Sequence, residues 1–318
     1  MRRRIPLTIP FGLALTLACE ALLFTDVALQ RRGALHVDPD IRAAVLAPAD
    51  GFLAKLARFV AINFTALIWP AYIVLLEGVL TLQAGRSPVR ARRHHFAMLS
   101  LASILIWCIF DAINFNRGMK AWDYLGIPPR FSDRAWGYLL AFACIVPGML
   151  MSGQVLMNVG LFEKFRTKAR RLPPGSATLV ILVGAAMFIF PLVHANPIAN
   201  LTLWTSLVFL LDPINLKLGR PSLLRDWMNG WYGRTAALFT GGLLCGFLWE
   251  FWNYWALAKW VYHLPFLGSL EHVRYFEMPV MGLLGFIPFG AECWVMWQAM
   301  RIAFDGLVED LPDDRALL

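Results

Sequence analysis

"TAALFTGGLLCGFLWEFWNYWAL", residues 235–257, is an almost unbroken apolar run that carries a single charged side chain, Glu250. A helix needs about 20 apolar residues to cross the hydrocarbon core of a bilayer, so this run predicts a membrane span. A charged group near the middle of a bilayer costs at least about 2.5–3.5 kcal/mol on insertion scales. Glu250 therefore needs either a polar partner or a function.

The rest of the chain has the same character. Of its 318 residues, 58% are hydrophobic and only 16% are charged, which is more apolar surface than a soluble domain of this length can bury. We therefore predict an all-α, polytopic transmembrane helix bundle of about eight spans, forming a single integral membrane domain over residues 1–318. The predicted spans cover residues 5–29, 57–82, 95–115, 135–160, 177–195, 199–217, 235–257 and 279–304.

Basic residues between the spans predict the orientation. They cluster in segments such as "AGRSPVRARRHH" (84–95) and "EKFRTKARRLPPG" (163–175), which fall on the same side as the N-terminus. The positive-inside rule then places both termini in the cytoplasm of a bacterial cell, with the protein in the inner membrane among membrane lipids. These basic clusters between the spans account for the net charge of +8, so we expect no nucleic-acid partner.

The two ends of the chain carry further expectations. The first apolar run continues past Cys19 without a small-residue cleavage site, so we expect a retained first span rather than a signal peptide. Residues 305–318 are predicted to form a short acidic cytoplasmic tail.

One motif occurs twice. "FDAINFNRGMKAWDYLGIP" (110–128) and "WEFWNYWALAKWVYHLP" (249–265) each contain an acid, an amide three residues later, Trp-x-Tyr and a proline. The acid and the amide share one helical face, and both acids fall in the outer third of the membrane. This pattern predicts a parallel internal repeat of helices 3–4 and 7–8, residues 105–160 and 245–300, about an axis along the membrane normal.

Acids inside predicted spans are the candidate catalytic groups. A carboxyl group that stays neutral in a dry pocket can donate a proton, whereas the alternative is a simple hydrogen bond to a neighbouring helix. We assign Glu250 and Glu292 as candidate acids that share one void bounded by indole rings, Asp111 as the counterpart in the first copy, and Asn253 and Asn114 as the amides that orient them.

Glu292 lies in "MGLLGFIPFGAECWVMW" (281–297), where Pro288 predicts a kink. The glycines of this stretch, with Gly241, Gly242 and Gly246 of the preceding span, predict close packing of helices seven and eight.

Aromatic residues around the acids are the candidate substrate-binding groups. Trp249, Trp252, Trp260 and Tyr262 surround Glu250, and Trp122 and Tyr124 occupy the matching places near Asp111. Their ring faces could stabilise a developing carbocation.

We predict no metal site. His194, His263 and His272, on the outer side, are the alternative ligands, but they lack HxxxH or HxH spacing. No cofactor can be identified from the sequence.

The order acid, Trp-x-Tyr, glycine, then proline and glutamate resembles the membrane-embedded lycopene cyclases of the heterodimeric type. The matching positions are Glu250, Trp260, Tyr262, Pro288 and Glu292. The resemblance implies tandem helical units and cyclisation of a polyene by carboxyl-mediated protonation. The family's Pro-x-Glu-Glu cluster is absent here, and Gln154 stands at a similar depth in the first copy, where an amide cannot supply a proton. Residues 206–300 also resemble uncharacterised bacterial polytopic membrane proteins.

Three functions fit these observations. One is an enzyme that acts on a lipid or isoprenoid by carboxyl acid/base chemistry inside an aromatic-lined intramembrane cavity. Another is a proton- or cation-coupled transporter or channel, in which the acids relay charge. The third is a non-catalytic membrane scaffold, whose polar residues fix helix packing. The sequence leaves the choice, and the oligomeric state, open.

Overall fold

A computed structural model of the protein describes residues 4–31, 49–116, 118–304, 306 and 316–318. The α-helices are α1 (Thr8–Arg31), α2 (Phe52–Ile62), α3 (Phe64–Ala84), α4 (Pro88–Ala91), α5 (Arg93–Asn114), α6 (Phe131–Asn158), α7 (Ser176–Val193), α8 (Pro197–Asn200), α9 (Leu203–Lys217), α10 (Leu223–Met228), α11 (Gly233–Trp255) and α12 (Phe286–Met300). Four short strands are β1 (Trp122–Leu125), β2 (Lys259–Tyr262), β3 (Arg274–Tyr275) and β4 (Met278–Pro279). Segments of 3₁₀-helix cover Pro265–His272, Val280–Gly285 and Arg301–Phe304.

Within the described residues, eight helical segments are long and apolar enough to cross a membrane. They are α1, α3, α5, α6, α7, α9 with the end of α8, α11, and the run Val280–Phe304 that contains α12. The predicted helix bundle with eight spans is confirmed. The outward faces are apolar as well: on α7, the side chains of Leu179 and Leu182 are each 62% exposed. Such faces suit lipid rather than water as the surrounding solvent.

The spans pack in a continuous series. Helix α1 lies on α3, α3 on α6, α6 on α11, α11 on α12, α12 on α9 and α9 on α7, while α5 packs mainly against α6. The long buried stretches of α6, α11 and α12 make these three helices the centre of the bundle.

Glycines bring the central helices together. A Cβ on Gly241 would lie 2.6 Å from the carbonyl oxygen of Met149 on α6, and one on Gly290 would lie 3.2 Å from Gly242 of α11. Small residues let helix backbones approach closely in a membrane, and the predicted close packing of helices seven and eight is confirmed at Gly242 and Gly290.

The last span changes its helix type close to Pro288. It starts as 3₁₀-helix over Val280–Gly285 and becomes α-helical at Phe286. Pro288 therefore lies in the first turn of α12, where the N–H that a proline lacks would have no partner within the α-helix itself.

The two ends of the bundle differ in chemistry. One end, here called the strand end, carries β1 and β2 beyond the C-termini of α5 and α11. The opposite basic end includes α4, α10 and the segment between α6 and α7. There the Asp212 carboxylate accepts hydrogen bonds from the Ser222 hydroxyl and from the N–H groups of Leu223 and Leu224, at 2.8–3.0 Å. It thus caps the start of α10, since the first N–H groups of a helix lack internal partners.

The predicted acidic tail, residues 305–318, falls largely outside the described residues. Of its last three residues, Leu317 is buried, and its N–H donates to Oε1 of Gln154 at 2.8 Å. This end of the chain therefore lies against α6 at the basic end.

Candidate functional site

The two copies of the motif meet at the strand end. Strand β1 pairs with β2 antiparallel, so Trp122 lies opposite Tyr262 and Tyr124 lies opposite Trp260. Residues that are about 140 positions apart in the chain thus form one short ladder at the end of the bundle.

Each strand is held by the amide of the preceding helix. Asn253 donates from Nδ2 to the Trp260 carbonyl at 2.8 Å and accepts the Trp260 N–H at Oδ1, at 2.9 Å. Asn114 makes the matching contacts with Trp122, at 2.9 and 3.2 Å. The two amides therefore anchor the strands. Their hydrogen bonds go to the strand backbone and not to the acids that they were predicted to orient.

We expect Asn253→Ala to lower the free energy of unfolding by about 1–3 kcal/mol, because it leaves the buried N–H and C=O of Trp260 without partners. Thermal unfolding of the purified protein in a neutral detergent would measure this loss. Asn229, an exposed residue at the end of α10, supplies the control variant Asn229→Ala. Equal losses for the two variants would contradict the anchoring role.

A tyrosine hydroxyl lies beside the acid in each copy. In the first, the Tyr124 hydroxyl donates to Oδ1 of Asp111 at 2.8 Å and accepts from Nε1 of Trp107 at 3.2 Å. In the second, the Tyr262 hydroxyl accepts from Nε1 of Trp260 at 2.8 Å.

Burial, then the neighbouring carboxylate of Glu250, raises the pKa of Tyr262 well above its ordinary value. Burial and the charge of Asp111 do the same to the pKa of Tyr124. Both phenols therefore keep their protons at neutral pH.

Glu250 itself is fully buried. Neither of its carboxyl oxygens has a hydrogen-bond partner among the residues described. The Tyr262 hydroxyl is nonetheless near enough for the two groups to interact electrostatically. An acid so placed is expensive as a charged group and suits a role in which its protonation changes.

Tyr262 also faces a cavity, here called the strand-end cavity, with a volume of about 120 Å³. Its walls are mostly rings, including Trp107, Trp122, Trp204, Trp260, Tyr262 and Phe289. The polar groups at its rim come from Lys120, Asn200 and His263. A smaller cavity of about 80 Å³ lies beside Tyr124, Tyr138 and Phe142, and Trp260 lines both.

Trp249 and Trp252, predicted to bind substrate, line neither of these cavities. Trp249 packs between Trp107 and Trp260, with ring centroids 5.2 and 5.4 Å away. Trp252 donates from Nε1 to Oε1 of Glu20 on α1 at 3.0 Å. Both rings belong to the aromatic core behind the site, whereas Trp122, Trp260 and Tyr262 do line the strand-end cavity.

Glu292 is separated from this arrangement. It is fully buried on α12, and its Oε1 accepts the N–H of Leu207 on α9 at 3.1 Å, while Oε2 has no hydrogen bond within the described structure. Like Glu250, it lines neither of the two cavities at the strand end. The expectation that one void bounded by indole rings holds both Glu250 and Glu292 is therefore wrong: neither acid lines a cavity there, and Glu292 is bonded to the backbone of α9.

The candidate histidines are not brought together. Nε2 of His263 lies 3.0 Å from Oδ2 of Asp123, His194 packs against Phe190, and His272 is exposed. Over the described ranges, no group of three or more His, Cys, Asp or Glu side chains could hold a metal ion.

Several cavity residues were missed by the sequence reasoning. Asn200 and Trp204 come from α8 and from the first turn of α9, and Phe289 comes from α12. Spacing along the chain carries no signal that these segments converge on β2. Trp107 lies one helical turn before Asp111, on the same helical face, and that spacing could have identified it.

A comparison with known proteins finds no matching family model, no similar curated protein and no similar solved structure.

Proposed function

We propose that the protein is an intramembrane enzyme that binds a lipid or isoprenoid in the strand-end cavity and acts on it by carboxyl acid/base chemistry. The observation that carries this proposal is the position of Tyr262, which lines the cavity and belongs to β2, the strand that Asn253 holds one helical turn beyond the buried Glu250. Glu250 is the proton donor and acceptor, and Tyr262 connects it to the ligand.

The walls of the cavity select the ligand class. Indole and phenyl rings favour apolar groups and stabilise a developing positive charge over their faces. An engineered cavity of about 150 Å³ holds a benzene molecule, so a cavity of about 120 Å³ takes a group of similar size. The substrate would therefore insert one end, such as a terminal isoprene unit, and leave its chain in the surrounding lipid.

The hydrogen bonds around Tyr262 suit a proton relay. Because Nε1 of Trp260 donates to the Tyr262 oxygen, the hydroxyl proton is available to the ligand or to Glu250. The phenol can pass its proton to an alkene as it takes one from Glu250, and so stays neutral. Loss of a proton from a neighbouring carbon back along the same path would complete an isomerisation or cyclisation without any further reactant.

We also infer that the two halves of the chain form an internal repeat of four spans each. The pairs α1–α3, α3–α6 and α5–α6 have counterparts in α7–α9, α9–α12 and α11–α12. A rotation axis between β1 and β2 would exchange Trp122 with Trp260 and Tyr124 with Tyr262. The strand register agrees with such an axis, because Trp122 pairs with Tyr262 and Tyr124 pairs with Trp260. The unit inferred here is longer than the helix pairs 3–4 and 7–8 that carry the motif.

The distribution of Lys and Arg supports an orientation with the basic end in the cytoplasm of a bacterial cell, in contact with inner-membrane lipids. Labelling of introduced cysteines from outside intact cells would test this, with Arg171→Cys expected to be protected and Leu270→Cys expected to react.

Filling the cavity tests the proposed function. No atom lies within 4 Å of a Cβ placed on Gly285, which lines the cavity, so Gly285→Leu should occupy it without disturbing the backbone. Leu284→Phe, at the adjacent exposed position outside the cavity, is the matched control. We expect lipid extracts of a deletion strain to regain their wild-type composition with Leu284→Phe and not with Gly285→Leu.

If deletion of the gene changes no extractable lipid or pigment, the protein is not this enzyme. Full restoration by a correctly folded Gly285→Leu protein would equally exclude the strand-end cavity as the site.

A further inference from the structure

A second cavity lies at the basic end. Its volume is about 510 Å³, larger than that of either cavity at the strand end, and it is bounded by the C-terminal ends of α3 and α6, by α4 and by the start of α5. No residue described as lining it also lines the strand-end cavity. Its function can therefore be argued separately.

The polar lining is strongly basic. Arg86, Arg92 and Arg166 contribute guanidinium groups, and Glu163 is the one acid among the described lining residues. Guanidinium groups are always charged and match the oxygens of a phosphate group with paired, parallel hydrogen bonds. Such a cluster in a concave site points to an anion with several oxygens.

One of these arginines is held in place. Nη2 of Arg92 donates to Nδ1 of His95 at 2.8 Å, since a guanidinium can only donate. The ring of His95 is buried and packs edge-on against Trp297, with centroids 5.2 Å apart. Fixing the guanidinium before a ligand arrives lowers the entropy lost on binding.

Another part of the lining is apolar. It includes Leu80, Phe96, Met151, Met157 and Phe162, which continue from the arginines toward the spans. A free inorganic anion gains nothing from contact with such an apolar surface, whereas a hydrocarbon chain attached to the anion would cover it.

We propose that the basic-end cavity binds the phosphate group of an anionic lipid, with the arginines on the phosphate and the lipid chain along the apolar wall. This site is distinct from the strand-end cavity and does not depend on the proposed enzymatic function. The ligand class is a phosphate mono- or diester carried on a hydrocarbon chain.

Binding to the purified full chain in a neutral detergent would test the proposal. The probes are dihexanoyl-phosphatidic acid, dihexanoyl-phosphatidylcholine and inorganic phosphate, and the readouts are the dissociation constant and the shift in unfolding temperature. We expect phosphatidic acid to bind and stabilise the protein, phosphatidylcholine to do neither, and inorganic phosphate to bind more weakly than phosphatidic acid.

Two double variants provide the specificity control. Arg86→Gln with Arg166→Gln removes two exposed guanidiniums from the cavity, while Arg170→Gln with Arg171→Gln removes the same charge from exposed positions outside it. The first should weaken binding of phosphatidic acid about tenfold or more, because it removes charge-assisted hydrogen bonds to the phosphate, and the second should leave it unchanged.

Equal weakening by the two double variants would overturn the proposal, because attraction to surface charge would then explain the binding. Absence of phosphatidic-acid binding to the wild-type protein would overturn it as well. If inorganic phosphate binds as tightly as phosphatidic acid, the cavity is an anion site, and the proposal that its ligand is a lipid is wrong.

Discussion

Glu250→Gln should lower formation of the altered lipid or isoprenoid by about 10²–10⁴-fold, which is the usual contribution of a positioned acid or base. An amide keeps the size of the side chain and cannot release a proton to Tyr262. The measurement is the amount of product in extracts of a deletion strain that expresses each variant at equal protein level. Tyr262→Phe should show a loss in the same range, because it interrupts the path from Glu250 to the cavity.

Two other acids serve as controls for this experiment. Glu77 on α3 is buried, accepts from the Thr81 hydroxyl at 3.1 Å and lies in the half of α3 that leads to the basic end, so Glu77→Gln should retain activity. Glu292→Gln should also retain it, because Glu292 faces Leu207 on α9. Wild-type product from Glu250→Gln, or an equal loss from all three variants, would show that Glu250 has no special role.

Gly290→Val should prevent correct folding, at a cost of about 3 kcal/mol or more, because it overpacks a helix contact. A Cβ at this position would collide with the carbonyl oxygen of Leu238 and lie 3.2 Å from the backbone of Gly242. These are backbone atoms, so no change of rotamer can make room. Size-exclusion chromatography and thermal unfolding in detergent would report the loss of folded protein.

Gly285→Val is the matched control for this second prediction. Gly285 precedes the same helix, has φ −65°, and no atom lies within 4 Å of the added Cβ. Its unfolding temperature should stay close to that of the wild-type protein. If both valine variants fold equally well, α11 and α12 can separate without loss, and the close glycine contact does not determine the fold.

The spans could be predicted because lipid imposes a length and a composition on each helix. The run 235–257, for example, became α11 over Gly233–Trp255. The direction in which each side chain points from its helix could not be predicted in the same way. A helix that is apolar on all sides gives no amphipathic signal, so the sequence did not distinguish Trp252, which contacts Glu20, from a cavity residue.

The candidate site was predicted in part for a similar reason. The spacing predicted that Asp111 and Asn114 share one helical face, and both contact β1, where Asp111 accepts from Tyr124 and Asn114 bonds the backbone of Trp122. The partners of those residues come from the loops beyond the helices, so the amides turned out to hold Trp122 and Trp260. Glu292 was assigned to one void with Glu250 because Pro288 and several glycines precede it, and such a composition does not show toward which neighbouring helix the side chain points.

The pairing of β1 with β2 has a consequence for biosynthesis. Trp122 leaves the ribosome about 140 residues before its partner Tyr262, a delay of roughly 7–28 s at 5–20 residues per second. Throughout that interval β1 has no partner strand, and α6 lacks α11, one of the helices on which it packs. The insertion machinery therefore has to protect an incomplete helix bundle. Strands β1 and β2 can pair only after the seventh span has entered the bilayer.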